Sequence, residues 1–111
     1  MMINKSTVGD VTIVAPKGSI NTDNSRILKE ALNGLIDTGR TAVLVDFSGV
    51  DYMTSTGLGV LVAFAKRVEE VDGKVALCSL SDDIQSVFDT VGFTQFFDIN
   101  QSAKEALVSL S

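Results

Sequence analysis

The stretch TAVLVDFSGVDYMTSTGLGVLVAFAKRVEEV, residues 41–71, decides the fold. Its opening, TAVLVDF (41–47), is a continuous apolar run of β-formers, the pattern of a strand covered on both faces. Its close, TGLGVLVAFAKRVEEV (56–71), reads as a helix. Leu58, Leu61, Val62, Ala65 and Val68 fall on one stripe at the helical period, and Val60 and Phe64 widen it so that both flanks are covered. The segment between, SGVDYMTS (48–55), reads as a loop. A buried strand that feeds through a loop into an amphipathic helix is the unit of a parallel sheet with right-handed crossovers.

The same alternation continues outward. Upstream, MINKSTV and VTIVAP flank Gly9-Asp10, a pair suited to a hairpin turn. KGSINTDNS is then a polar loop in which Thr22 or Asp23 caps a helix running to about Thr38. Ile27, Leu28, Ala31, Leu32, Leu35 and Ile36 give that helix its apolar face, and Gly39 ends it. Downstream, Asp72-Gly73 is a turn and KVALCSL a second buried strand. Ser81 caps the next helix, whose acidic first turn suits the positive end of the helix dipole. Ile84, Val87, Phe88 and Val91 line its inner face, and Gly92 closes it. QFFDI is a short strand, and QSAKEALVSL a last helix with Ala103, Ala106, Leu107 and Leu110 inward. The predicted order is ββαβαβαβα: one α/β domain over residues 1–111, with a mixed, mostly parallel sheet of about five strands and four helices. Sites in such folds lie in loops after the strands' C-terminal ends, here 17–22 and 48–55.

Composition narrows the chemistry. The chain is 45% hydrophobic, enough for a packed core, and carries a net charge of −5. Its nine Lys and Arg form no basic cluster, which argues against nucleic-acid binding. Histidine is absent, which removes histidine bases, Ser-His pairs and histidine metal ligands. The single cysteine, Cys78, makes no internal disulfide or thiolate zinc site and suits a buried apolar role in a reducing compartment. No loop has EF-hand spacing, so neither metal nor cofactor is expected. The N-terminus has no apolar signal core, and the longest apolar run, GLGVLVAFA, is too short to insert into a bilayer. A cytoplasmic location is the expectation.

Three hydroxyls stand in line at the loop-to-helix junction, Thr54, Ser55 and Thr56, with Gly57 and Gly59 behind them. One hydroxyl suffices to cap a helix, worth about 1 kcal/mol. Each glycine lowers helix propensity by about 1 kcal/mol, so both must be tolerated for close packing or close approach of a partner. Capping alone and a functional hydroxyl both remain open on spacing. A nucleophile elbow needs G-x-S-x-G and a base, and neither is present. A phosphate loop of the G-x-x-x-x-G-K-[ST] type is absent as well. A phosphorylation site fits, because a phosphate on Ser55 would meet the free N–H groups and dipole of a helix N-terminus.

With those residues in view, VLVDFSGVDYMTSTGLGVLVAFAKRVEEVDGKVALCSLSDDIQSVFDTVGF resembles the STAS-domain family of anti-sigma factor antagonists. The likeness runs from about Val11 to the C-terminal helix. It is most specific in DFSGVDYM, in TSTGLGVL, in the segment from Gly73 to Phe93, and in GSIN after VTIVAP. The resemblance implies a partner switch. Unphosphorylated, such a protein binds an ATP-dependent serine/threonine kinase that doubles as anti-sigma factor; phosphorylation releases it, and a serine phosphatase resets it. The domain is then a substrate and binding module, not an enzyme. Ser55 matches the acceptor, with Thr54 and Thr56 ranked below it. The implied contact surface comprises Gly18, Ser19, Asn21, Met53, Thr54, Ser55, Thr56, Gly57 and Leu58, continuing along the outer face of the helix. Met53 also suits a core anchor for the loop, and Phe93, Phe96 and Phe97 suit the core. This chain departs from the family's usual aspartates at Thr54 and Asn21, which makes the site less acidic. Those departures motivate a second reading, a STAS regulatory or accessory module for a non-sigma output such as a transporter.

Overall fold

The computed structural model describes residues 1–110. Strands β1 (Met2–Val8) and β2 (Val11–Ile20) form an antiparallel hairpin, with Gly9 in the left-handed region at φ +59°. Then follow α1 (Ser25–Asp37), β3 (Ala42–Asp46), β4 (Val50–Met53), α2 (Ser55–Glu70), β5 (Lys74–Cys78), α3 (Asp82–Val91), β6 (Asp98–Asn100) and α4 (Ala103–Leu110). The sheet order is β1-β2-β3-β5-β6, parallel except for β1, with β4 paired to β2 beside this path.

The α/β class, the helices and the mostly parallel sheet are as the sequence predicts. Two local expectations change. The sheet has six strands, because Val50–Met53 forms β4 where a loop is expected. Its partner is the far half of β2, which runs on through Lys17 to Ile20. Gly18 pairs with Val50, Ser19 with Tyr52 and Ile20 with Met53, across a bulge between Gly18 and Ser19. The polar letters of that half hide a strand: β1 pairs only as far as Lys17, and Gly18, at φ +90°, breaks the alternation beyond it. The N-cap position of α1 is Asn24, not Thr22 or Asp23.

Alternation along the central strands explains their unbroken apolar runs. Val43, Val45 and Leu77 face one side and join Leu28, Leu32, Leu61, Phe64 and Phe88 in the larger core. Leu44, Ala76 and Cys78 face the other side, where Ala106 and Leu110 of α4 cover them. Both faces are therefore dry, as parallel strands require. Three expected inward residues lie outside: Ile27, Val91 and Phe96 are exposed, because each sits at the margin of its stripe or in the turn before β6. Phe97 takes the core position, edge-on to Phe88 at 5.5 Å between ring centroids.

Candidate functional site

The annealing of β4 to β2 builds the site. Thr54 N–H donates to the Ile20 carbonyl at 2.9 Å, and Gly18 N–H to the Gly49 carbonyl at 2.9 Å. The segment 18–22 is thereby held against the start of α2. Thr54 has extended backbone (φ −85°, ψ 168°) and caps α2, its Oγ1 accepting from Gly57 N–H at 3.4 Å. The Thr54 carbonyl accepts the first helical bond, from Leu58 N–H at 3.1 Å. Capping therefore falls to Thr54, and Ser55 is left as the first helical residue, exposed to solvent. No described side chain hydrogen-bonds to the Ser55 hydroxyl. The first turn of α2 carries no acidic residue, so nothing there opposes an added negative charge.

Thr56 is also exposed, and its Oγ1 lies 3.3 Å from Thr22 Oγ1. Thr22 is a neighbour of the site that the sequence places only as a cap. Thirty-four residues separate the pair, and no local pattern links them. Asn21 is half-buried and also holds its own loop. Its Oδ1 accepts from Asp23 N–H at 2.9 Å and Asn24 N–H at 3.0 Å. Asn24 answers by accepting from Asn21 N–H at 2.9 Å and donating to the Ser19 carbonyl at 2.8 Å. The two asparagines thus lock the turn that carries Ser19 and Thr22, an arrangement that suits short amide side chains.

Burial divides the expected contact residues. Ser19, Ser55 and Thr56 are exposed, and Gly18, Asn21 and Thr54 half-buried. Met53 and Leu58 are 1% and 3% exposed, so neither reaches the surface expected of it. Both point into the larger core because β4 is a strand and Leu58 belongs to the inner stripe of α2. Gly57 is buried too. A Cβ there would lie 2.6 Å from Ile20 Cγ2 and 3.0 Å from Met53 Cγ, so this glycine lets the helix start approach β2. At Gly59 nothing lies within 4 Å of an added Cβ, so close packing does not explain it. Among the described residues, no group of His, Cys, Asp or Glu is placed to hold a metal ion. None of their helices is long and apolar enough to cross a membrane.

The site thus sits on a mixed, mostly parallel six-stranded sheet with four helices, one α/β domain. The STAS domain family matches residues 2–106, and the chain belongs to it. The chain is 29% identical over 106 residues to BtrV of Bordetella bronchiseptica, covering 96% of this chain and 91% of that protein. It is 32% identical over 87 residues to the anti-sigma-B factor antagonist of Bacillus subtilis, covering 78% and 79% respectively. Among solved structures, the anti-sigma factor antagonist SpoIIAA in its unphosphorylated form superposes with a TM-score of 0.76 at 17% identity, over 97% of this chain and 96% of that one. The Bacillus protein SpoIIAA in its phosphorylated form gives 0.77 at 17% identity, over 99% and 100%.

Proposed function

We propose that this chain is an anti-sigma factor antagonist that switches partners by phosphorylation of Ser55. The observation that carries the reading is a free, exposed serine hydroxyl at the first position of α2, with the capping duty already discharged by Thr54. The named relatives support the class, and two solved states of SpoIIAA, with and without phosphate, support a switch on this fold.

Unmodified, the surface of Gly18, Ser19, Asn21, Thr54, Ser55 and Thr56 docks on an anti-sigma factor that is an ATP-dependent serine/threonine kinase. The kinase transfers the γ-phosphoryl group of ATP to the Ser55 oxygen, and the hydroxyl proton leaves. The product carries about −1.5 to −2 charge at pH 7. That charge is tolerated within this chain by the helix N-terminus. Across a docked interface it is desolvated and unpaired, so the complex opens. A serine phosphatase resets the surface. Thr54 and Thr56 rank below Ser55 as acceptors, the first being the cap and the second paired with Thr22. The chain is on this reading a cytoplasmic regulator and kinase substrate, not an enzyme.

The test is incubation with purified cognate anti-sigma kinase and Mg-ATP, followed by phosphosite mapping. Phosphate on Ser55 and release of the kinase support the proposal. Stable kinase binding with Ser55 unmodified leaves a binding module and removes the switch. A permease or transport ATPase that co-purifies in place of any kinase points to the accessory-module reading.

A further inference from the structure

We propose that the groove between α1 and α2 is a binding site for a medium-chain carboxylate. Two contacts mark its ends. Thr22 Oγ1 and Thr56 Oγ1 meet at 3.3 Å at one end, and Arg67 lies 4.0 Å from Asp37 at the other. The two helices therefore run in the same direction. At 1.5 Å per residue, the reach from Thr56 to Arg67 is about 16 Å. Between the two links lies a cavity of about 280 Å³ with a floor of Gly59, Val60, Ala63 and Phe64. Gly59 is what keeps that floor open, since nothing occupies the space where its Cβ would be.

The charges select the ligand's head. Lys29 lines the groove one turn into α1. Side chains lean toward the N-terminus of their helix, which directs the ammonium to the Thr56 end. The other charges nearby are already paired: Glu30 with Arg26 at 3.1 Å, and Asp37 with Arg67. Lys29 has no acidic partner among the described residues. An unpaired cation beside an apolar floor suits an anion with an aliphatic tail. A cationic amphiphile would be repelled, and an uncharged one would leave Lys29 unused. The volume falls just under the usual range of small-molecule pockets, which favours one short tail over a long-chain lipid. The site is distinct from Ser55, and the inference stands or falls apart from the phospho-switch.

Titration of the isotopically labelled full chain with decanoate, kept below its micelle-forming concentration, tests this by amide chemical shift. Saturable shifts centred on Thr56, Gly59, Val60 and Ala63 are expected. Lys29→Glu is to weaken decanoate several-fold, decanol is to bind the parent chain several-fold more weakly than decanoate, and Gly59→Leu is to abolish binding by filling the floor. Lys29 is exposed, so its variant keeps the fold and the proposal stays testable should Gly59→Leu fail to fold. Shifts that do not saturate, that scatter over the surface, or that Lys29→Glu leaves unchanged overturn the proposal. So does saturation of the groove by an acidic amphipathic helical peptide when decanoate leaves it empty, which would make it a protein-docking groove.

Discussion

Gly57 and Ile20 approach so closely that no carbon can be added between them: a Cβ on Gly57 would lie 2.6 Å from Ile20 Cγ2. The start of α2 is seated directly on the end of β2, and Ser55 lies two residues before that contact. Gly57→Ala is expected to lower stability by about 1–3 kcal/mol through overpacking, partly offset by better helix propensity. Gly59→Ala, two residues on, meets open space and should raise stability by about 1 kcal/mol. Thermal melts of the two variants should therefore move in opposite directions. Shifts of the same sign would contradict the packing described.

Ser55→Ala should hold the anti-sigma kinase persistently in the presence of Mg-ATP, and Ser55→Asp should bind it weakly. Neither change touches the core, because Ser55 is exposed and takes no side-chain hydrogen bond. Calorimetry against the kinase reads the difference, and equal affinities would exclude charge as the switch.

Thr54 is the cap, so Thr54→Ala should cost about 1 kcal/mol. Thr54→Asp should hold stability within about 0.5 kcal/mol, since aspartate caps as well and favours the positive helix end. Denaturant midpoints separate the two. If both lose stability equally, the 3.4 Å bond to Gly57 is not what sets the helix start.

Thr12 is 4% exposed and its Oγ1 has no hydrogen-bond partner. Thr12→Val keeps the shape, removes the orphaned hydroxyl and suits a strand. Stability should rise by about 1 kcal/mol, which for a domain of this size is a gain of roughly 4 °C in Tm. A loss would mean that the hydroxyl finds a partner in solution.

Cys78 is fully buried, and burial pushes its thiol from an ordinary 9.0 to about 11, opposed by a hydrogen bond with Ser79 and reinforced by the neighbouring Asp46 carboxylate. The folded state thus holds the thiol proton more tightly than the unfolded state. The resulting stability is complete below pH 9 and declines as pH rises toward 11. At pH 8 the native chain should resist thiol reagents, with labelling only as fast as unfolding exposes the sulfur. Cys78→Ala should remove part of the decline between those two pH values. Rapid labelling of the native chain would contradict the burial.

The sequence carries the architecture because its signals are periodic and local. Val43 to Val45 and Ala76 to Cys78 read as doubly covered strands without reference to any partner, and the caps at Ser81 and Gly92 mark α3 to the residue. The candidate acceptor Ser55 draws notice for the same reason: three hydroxyls and two glycines at a helix start are a local anomaly. The second half of β2 and all of β4 escape that reading. Their apolar alternation is broken by Gly18 and by Asp51-Tyr52, and only their mutual pairing makes them strands.

What the residues determined by themselves was the α/β class, the run of hydroxyls at the start of α2 and the exclusion of histidine chemistry. Tertiary structure decided which side chains surround that hydroxyl. It placed Thr22 against Thr56, tied Asn21 to its own loop, and sank Met53 and Leu58 into the core. The physical reason is separation along the chain. Periodicity reports which face of an element is apolar, but a contact across thirty-four residues is set only when β4 docks on β2.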